Sequence, residues 1–160
     1  MAVLTSPNCR DRYRDENARE NLIKYVTNPH KAKSGFYGGV MVDIDHAAEE
    51  MRSTATEFKK DSGVRLRHFI LSFDYDEVRD PKMAYDIAHH LALVMANRYE
   101  TVYAVHQNTD QLHIHFILNS VSYTDGMRYS GSRKEFYALM SAMKHVLQDY
   151  NIYNFYYMSS

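Results

Sequence analysis

Three histidines and an aspartate fall within one short stretch, "VHQNTDQLHIHFILNS", Val105 to Ser120. His113 and His115 are two apart in a segment of strand composition. Their side chains therefore point to one face, while Ile114, Phe116 and Leu118 point to the other. A two-residue turn at Thr109-Asp110 would set His106 opposite His113, while Thr-Asp, a weak turn pair, leaves a looser loop open. Directly opposed residues share a face, with Cβ atoms about 5 Å apart. The pattern H-x6-H-x-H thus gathers three imidazoles on one side of a sheet. Neutral imidazole ligates divalent metals, and three of them leave coordination positions open for substrate. A single histidine on the wet face of a sheet would be ordinary surface; three, with an apolar face behind them, favour a metal. Zn, Mn, Fe, Ni and Cu all suit imidazole, and Mg suits it less unless a substrate phosphate completes the shell. Taken alone, the hairpin is compatible with a hydrolase, an oxygenase or a structural metal site.

The elements that must position these groups follow from hydrophobic periodicity. Residues 15–27 read as a helix with Ala18, Leu22 and Tyr25 on one stripe and Val26 beside it. Asn28-Pro29 stops it, because the residue before proline is driven out of the α region. Residues 35–43 read as a strand bent at its glycines, and Asp45 as the cap of a helix over 46–60. Residues 65–74 read as a strand whose core face is Phe69, Leu71 and Phe73 by strict alternation, with Leu66 added if a slight irregularity lies near Arg67. A helix runs from Pro81 to about Arg98, then strands over 100–107 and 111–121, then an Asp-Gly turn at 125–126. The last helix covers 132–150, with Ser132 and Glu135 as a capping box. The order α-β-α-β-α-β-β-α, with a short end piece, predicts an α+β fold: a central antiparallel or mixed sheet with helices packed against it.

The totals set limits. A chain of 160 residues, 45% hydrophobic and 24% charged, fits one globular domain spanning 1–160. No apolar run approaches the roughly 20 residues of a membrane span. The opening residues lack the apolar core of a secretory signal, and Cys9 is the single cysteine. A reducing, cytoplasmic setting is therefore expected, with no membrane partner. The net charge of −1 does not itself point to nucleic acid, although residues 1–67 hold 12 basic against 10 acidic side chains. Fourteen tyrosines and no tryptophan leave two uses for aromatic surface, core edges or base stacking.

The residues also carry a family resemblance. H-x6-H-x-H-x3-N, read as His106, His113, His115 and Asn119, resembles the third motif of conjugative relaxases, the strand-transferring mobilization proteins of the HUH endonuclease superfamily. "LIKYVTNPHKA" (22–32) is similar to their first motif, where a helix carries the nucleophilic tyrosine ahead of an Asn-Pro-x-Lys segment. "RHFILSFD" (67–74) resembles the second motif, and "NSVSYTDGMRY" (119–129) the stretch that follows the histidines. The likeness runs from about 20 to 150 and is greatest to the VirD2-like, or MobP, branch. It implies a palm-like α+β sandwich, the catalytic part of a longer protein.

The resemblance also implies a chemistry. Tyr25 attacks a scissile phosphodiester at an origin of transfer and keeps the 5′ phosphate. A divalent metal, Mg²⁺ or Mn²⁺ with Zn²⁺ or Ni²⁺ as possible occupants, is held by His106, His113 and His115. The implied partners are single-stranded or hairpin DNA, accessory relaxosome proteins and a secretion-system coupling protein. Family members often have an acidic residue two after the first histidine; here that position is Asn108, and Asp110 is the candidate acidic helper. By strand parity, Ser72 and His68 are candidates to sit beside the metal and touch DNA, and Asn119 to orient a ligand. Lys31, Arg67 and Arg128 are candidate phosphate contacts. Tyr13 and Tyr37 are the nearest competitors to Tyr25. His89-His90 reads as structural. Replication initiators and transposases with the same metal motif carry a later tyrosine, often as Y-x-x-K, which occurs nowhere in this chain. Further alternatives are a metal-dependent DNA-binding module without cleavage, and a cupin-type oxygenase, which would need a carboxylate soon after His115.

Overall fold

The computed structural model describes residues 1–7 and 10–159; Cys9 lies outside the described residues. Six strands form one mixed sheet: β1 (Ala2–Ser6), β2 (Tyr37–Val40), β3 (Leu66–Phe73), β4 (Thr101–His106), β5 (His113–Asn119) and β6 (Phe155–Ser159). Their spatial order is β2-β4-β5-β3-β1-β6. All neighbours are antiparallel except β1 and β6. The helices are α1 (Arg10–Arg14), α2 (Ala18–Val26), α3 (Ala47–Glu57), α4 (Pro81–Met95) and α5 (Arg133–Asp149). The α+β class holds. Among the described residues no helix is long and apolar enough to cross a membrane.

Both sheet faces are covered. On one, Leu71, Phe73, Ile114, Phe116 and Leu118 pack with Ile87, Leu91 and Met95 of α4 and with Met143 and Leu147 of α5. On the other, Leu66, Val102, Ala104 and Ile117 pack with Leu22 and Val26 of α2 and with Ala47 and Met51 of α3. The histidine face is therefore partly a second core and not a wet surface. Leu66 belongs to it. The β3–β5 ladder is unbroken from Leu66↔Asn119 to Ser72↔His113, so no irregularity exists near Arg67. Strict alternation puts Leu66 in phase with His68, Ile70 and Ser72.

Other boundaries shift for local reasons. The helix expected over 15–27 is α2 alone and starts at Ala18, because the Asp15 carboxylate takes the Asn17 N–H at 2.7 Å, an Asx turn that competes with the helix; the short helix α1 before it is not expected from the sequence. Asp43, not Asp45, is the cap: its side chain accepts from Asp45 N at 3.0 Å and starts a 3-10 turn over Ile44–His46 ahead of α3. Met41 ends β2 at a φ of 64°. The α5 capping box is half made. Ser132 Oγ accepts from Glu135 N at 3.2 Å, but the Glu135 carboxylate accepts from Ser130 instead. The strands β1 and β6, absent from the sequence reading, extend the sheet beyond β3.

Candidate metal and nucleophile site

The β4–β5 pair puts His106 directly opposite His113, with His115 opposite Ala104. The register is the one a turn at 109–110 requires, although the link is a looser loop over 107–112 in which Asp110 is exposed. Ring centroids lie 5.1 Å apart for His106–His113, 4.1 Å for His106–His115 and 5.4 Å for His113–His115. One nitrogen from each ring lies within 4.8 Å of the others. Metal–imidazole bonds of about 2.0–2.1 Å need tetrahedral ligands about 3.4 Å apart, so small side-chain rotations close the set.

The other nitrogen of each ring is already engaged. His106 Nε2 donates to the Val26 carbonyl at 2.8 Å. His113 Nδ1 donates to the Gln111 carbonyl at 3.3 Å. His115 Nδ1 lies 2.8 Å from His68 Nε2, and His68 Nδ1 lies 2.9 Å from the Tyr13 hydroxyl. The nitrogens left to face a metal are Nδ1 of His106 and Nε2 of His113 and His115. Ligand histidines typically have this kind of outer partner, which fixes ring orientation.

Burial keeps the rings neutral. Loss of water, opposed by the bond to the Val26 carbonyl and aided by the neighbouring His113 and Lys31 charges, brings His106 to about 4. His115 is lowered to about 2, by burial first and then by His106, His68, His113 and Lys31. His113 is lowered for the same leading reason. His68 falls to about 4, through burial and then Arg12 and His106. Near pH 7 each ring is therefore neutral and keeps one bare nitrogen.

The bond from His106 to Val26 docks the end of α2 on this cluster. Tyr25, one residue earlier, projects outward at 43% exposure. It is not part of the buried stripe, which is Ala18, Leu22 and Val26. Its ring lies edge-on to His106 at 6.4 Å and to His115 at 6.3 Å. Lys31 Nζ sits 3.4 Å from the Tyr25 hydroxyl. The segment between them is clamped at both ends, since Gln107 N also donates to Lys31 O at 2.9 Å. Asn28 Oδ1 accepts the His30 N–H at 2.9 Å and shapes the turn.

A three-histidine cluster beneath an exposed tyrosine, on a hairpin and helix in this order, accompanies a match over residues 25–152 to the family model for the relaxase nuclease domain, MobA/VirD2-like. The chain belongs to that relaxase family. It is also similar to two Staphylococcus aureus proteins named Protein rlx, at 29% and 26% identity over 113 residues, 71% of this chain and 34% of each relative. A third protein of that name and organism is 24% identical over 110 residues. The chain thus spans about a third of the length of these curated relatives.

Other residues expected at the relaxase site divide into two groups. Ser72, half-buried, pairs with His113 on the histidine face, and His68 bonds His115 directly. Asn119 shares that face but lies beyond Ile117, about 13 Å along the strand from His115. Its amide donates to Met51 O and Glu100 Oε1, both at 2.9 Å, and its oxygen accepts from Arg19 Nε at 3.3 Å. It knits a buried polar cluster and is not brought to the histidines. Arg67 lies on the opposite face, where its guanidinium donates to Tyr129 O at 3.1 Å. Arg128 is spent on Ser62 O at 2.8 Å and Lys60 O at 3.0 Å.

Tyr13 is buried against His68, and His89 and His90 bond Tyr103 and Tyr150 through their Nδ1 atoms. The sequence reading missed the fully buried Arg19, which bonds Asp61 Oδ1 at 2.9 Å; it sits in a mixed-charge helix that gives no sign of burial.

Proposed function

We propose that this domain nicks one strand of DNA at an origin of transfer, with Tyr25 as nucleophile. The observation that carries the reading is the placement of the Tyr25 ring over His106 and His115, with Lys31 at its hydroxyl. In the proposed reaction the Tyr25 oxygen attacks the scissile phosphorus. The O–P bond forms, the bond to the 3′ oxygen breaks, and the strand leaves with a free 3′ hydroxyl. The tyrosine proton passes to solvent, which reaches this side chain, and the 3′ oxygen takes one up. The phosphotyrosyl ester retains the bond energy, so the reverse attack reseals the strand.

His106, His113 and His115 would hold a divalent ion, Mg²⁺ or Mn²⁺ in the working enzyme, with Zn²⁺ or Ni²⁺ able to occupy the same nitrogens. When bound, that ion offsets charge on the non-bridging phosphate oxygens. Lys31 contributes a fixed cation beside the attacking oxygen and a phosphate contact. Ser72 lies close enough on the sheet face to contact the strand. Single-stranded or hairpin DNA is the substrate that the family resemblance implies. Accessory relaxosome proteins, a secretion-system coupling protein and a cytoplasmic setting complete the reading.

The test is to map the adduct. After incubation with a labelled origin oligonucleotide and Mn²⁺, nuclease trimming and trypsin digestion, nucleotide mass should appear on peptide 25–31, "YVTNPHK", which holds a single tyrosine. Nucleotide mass on another tyrosine peptide would remove Tyr25 from this role.

A further inference from the structure

Two of the three histidines have outer partners that can only accept. Val26 O and Gln111 O are carbonyls, so His106 must carry its proton on Nε2 and His113 on Nδ1. The third is different. His115 Nδ1 faces His68 Nε2, an imidazole nitrogen that either donates or accepts, and His68 Nδ1 in turn faces a hydroxyl that does either. We propose that Tyr13 and His68 form a hydrogen-bonded relay that decides which nitrogen of His115 carries the proton, and thereby whether His115 ligates a metal. The inference rests on the reading of the three histidines as a metal site.

The chain has two self-consistent proton arrangements. In the first, His115 Nδ1–H donates to His68 Nε2, and His68 Nδ1–H donates to the Tyr13 oxygen. His115 Nε2 is then bare and faces the other two ligand nitrogens. In the second, the Tyr13 O–H donates to His68 Nδ1, and His68 Nε2–H donates to His115 Nδ1. His115 Nε2 then carries the proton and cannot bind a metal. Both arrangements hold the same number of protons and pair His115 Nδ1 and both nitrogens of His68.

The geometry is built for this. Tyr13, His68 and His115 are all buried. The His68 and His115 rings stack at 5.0 Å with 24° between their planes, as diagonal neighbours across β3 and β5. Tyr13 meets His68 edge-on at 6.1 Å, and its carbonyl accepts at 2.8 Å from the N–H of Arg65, the residue just before β3. Tyr13 lies before the span of the family match, residues 25–152.

Tyr13→Phe separates the two arrangements. Without the hydroxyl, the first leaves a buried His68 N–H with no acceptor, while the second leaves only a bare nitrogen, which costs less. The variant should move His115 toward the Nε2–H form. Long-range proton–nitrogen NMR of the imidazoles reads this directly in the metal-free protein. Binding of Mn²⁺ alone, by calorimetry, should weaken about 3- to 10-fold in Tyr13→Phe. His68→Leu should weaken it about 10- to 100-fold, and His68→Gln, whose amide oxygen accepts from Nδ1, should recover most of the loss. Zn²⁺ should lock wild-type His115 as the Nδ1–H form.

An unchanged His115 tautomer in Tyr13→Phe and His68→Leu, or Mn²⁺ affinities within twofold of wild type, would overturn the relay. If wild type binds neither ion, the metal reading fails by itself. The metal-free NMR spectra still decide the relay.

Discussion

The buried histidines make the metal-free domain sensitive to mild acid, by an amount the structure sets. His68 and His106 are lowered to about 4 and His115 to about 2, against 6.5 in an unfolded chain. All three are buried, and burial is the leading cause in each. Because the folded values lie below the unfolded ones, the unfolded chain takes up protons first. Stability is therefore complete above pH 6.5 and lost as pH falls toward 4, with His115 extending the loss lower.

Each group contributes about 1.4 kcal/mol per pH unit inside that window. Three groups together remove about 4 kcal/mol between pH 7 and 5.5, against a typical domain stability of about 5–15 kcal/mol. Urea unfolding followed by far-UV circular dichroism in EDTA measures it, as the chain has no tryptophan to report by fluorescence. In His68→Gln the drop should shrink by about a third, because one titrating ring is gone. Saturating Mn²⁺ at pH 7, at about 100 times Kd, should add about 2.7 kcal/mol, and less at pH 5.5, where protons compete for the nitrogens. A drop below about 1 kcal/mol in wild type, or an equal drop in His68→Gln, would refute the reasoning.

Other expectations separate the site from its scaffold. Asn119→Leu strips partners from Arg19, Glu100 and Met51 O, and should cost about 3 kcal/mol in urea unfolding while leaving Mn²⁺ affinity within twofold. A large loss of metal affinity in the folded variant would return Asn119 to the site. Lys31→Met should slow single-turnover adduct formation roughly tenfold, since it removes the cation beside the attacking oxygen, with metal binding unchanged by calorimetry. Arg67→Gln should leave the salt dependence of DNA binding unaltered, because Arg67 faces away from the histidines. The same measurement on Lys31→Met should lower the slope by about one.

Strand parity made much of this site legible. His106, His113 and His115 converge because side chains alternate and the link between the strands is short, and both survive a looser loop than the expected turn. Parity alone also overreaches. Asn119 shares the face of His115 yet lies far along the strand, where α3 and the Glu100 carboxylate claim it. Arg67 illustrates the reverse. Strict alternation puts it with Phe69 and Leu71, away from the histidines, so a positive charge in a motif segment did not make it a DNA contact. The bond from His68 to His115 needs the β3–β5 register, which joins residues 47 apart, and no local pattern specifies that. The strands β1 and β6 are five residues each and exist by pairing with distant or parallel partners. Helices α2 and α3, which cover half of the histidine face, turn what reads as a wet surface into a core, and that is what holds the rings neutral.

The most direct test of the account joins its two halves. Labelled single-stranded oligonucleotides bearing candidate transfer origins are incubated with Mg²⁺ or Mn²⁺ and wild type, Tyr25→Phe, or the double variant His113→Ala with His115→Ala, then run under denaturing conditions. The account predicts a protein–DNA adduct with wild type, none with Tyr25→Phe, and little or none with the histidine variant, while Tyr25→Phe still binds Mn²⁺. An adduct that persists in Tyr25→Phe would contradict it, as would tight metal binding by wild type without cleavage of any origin tested.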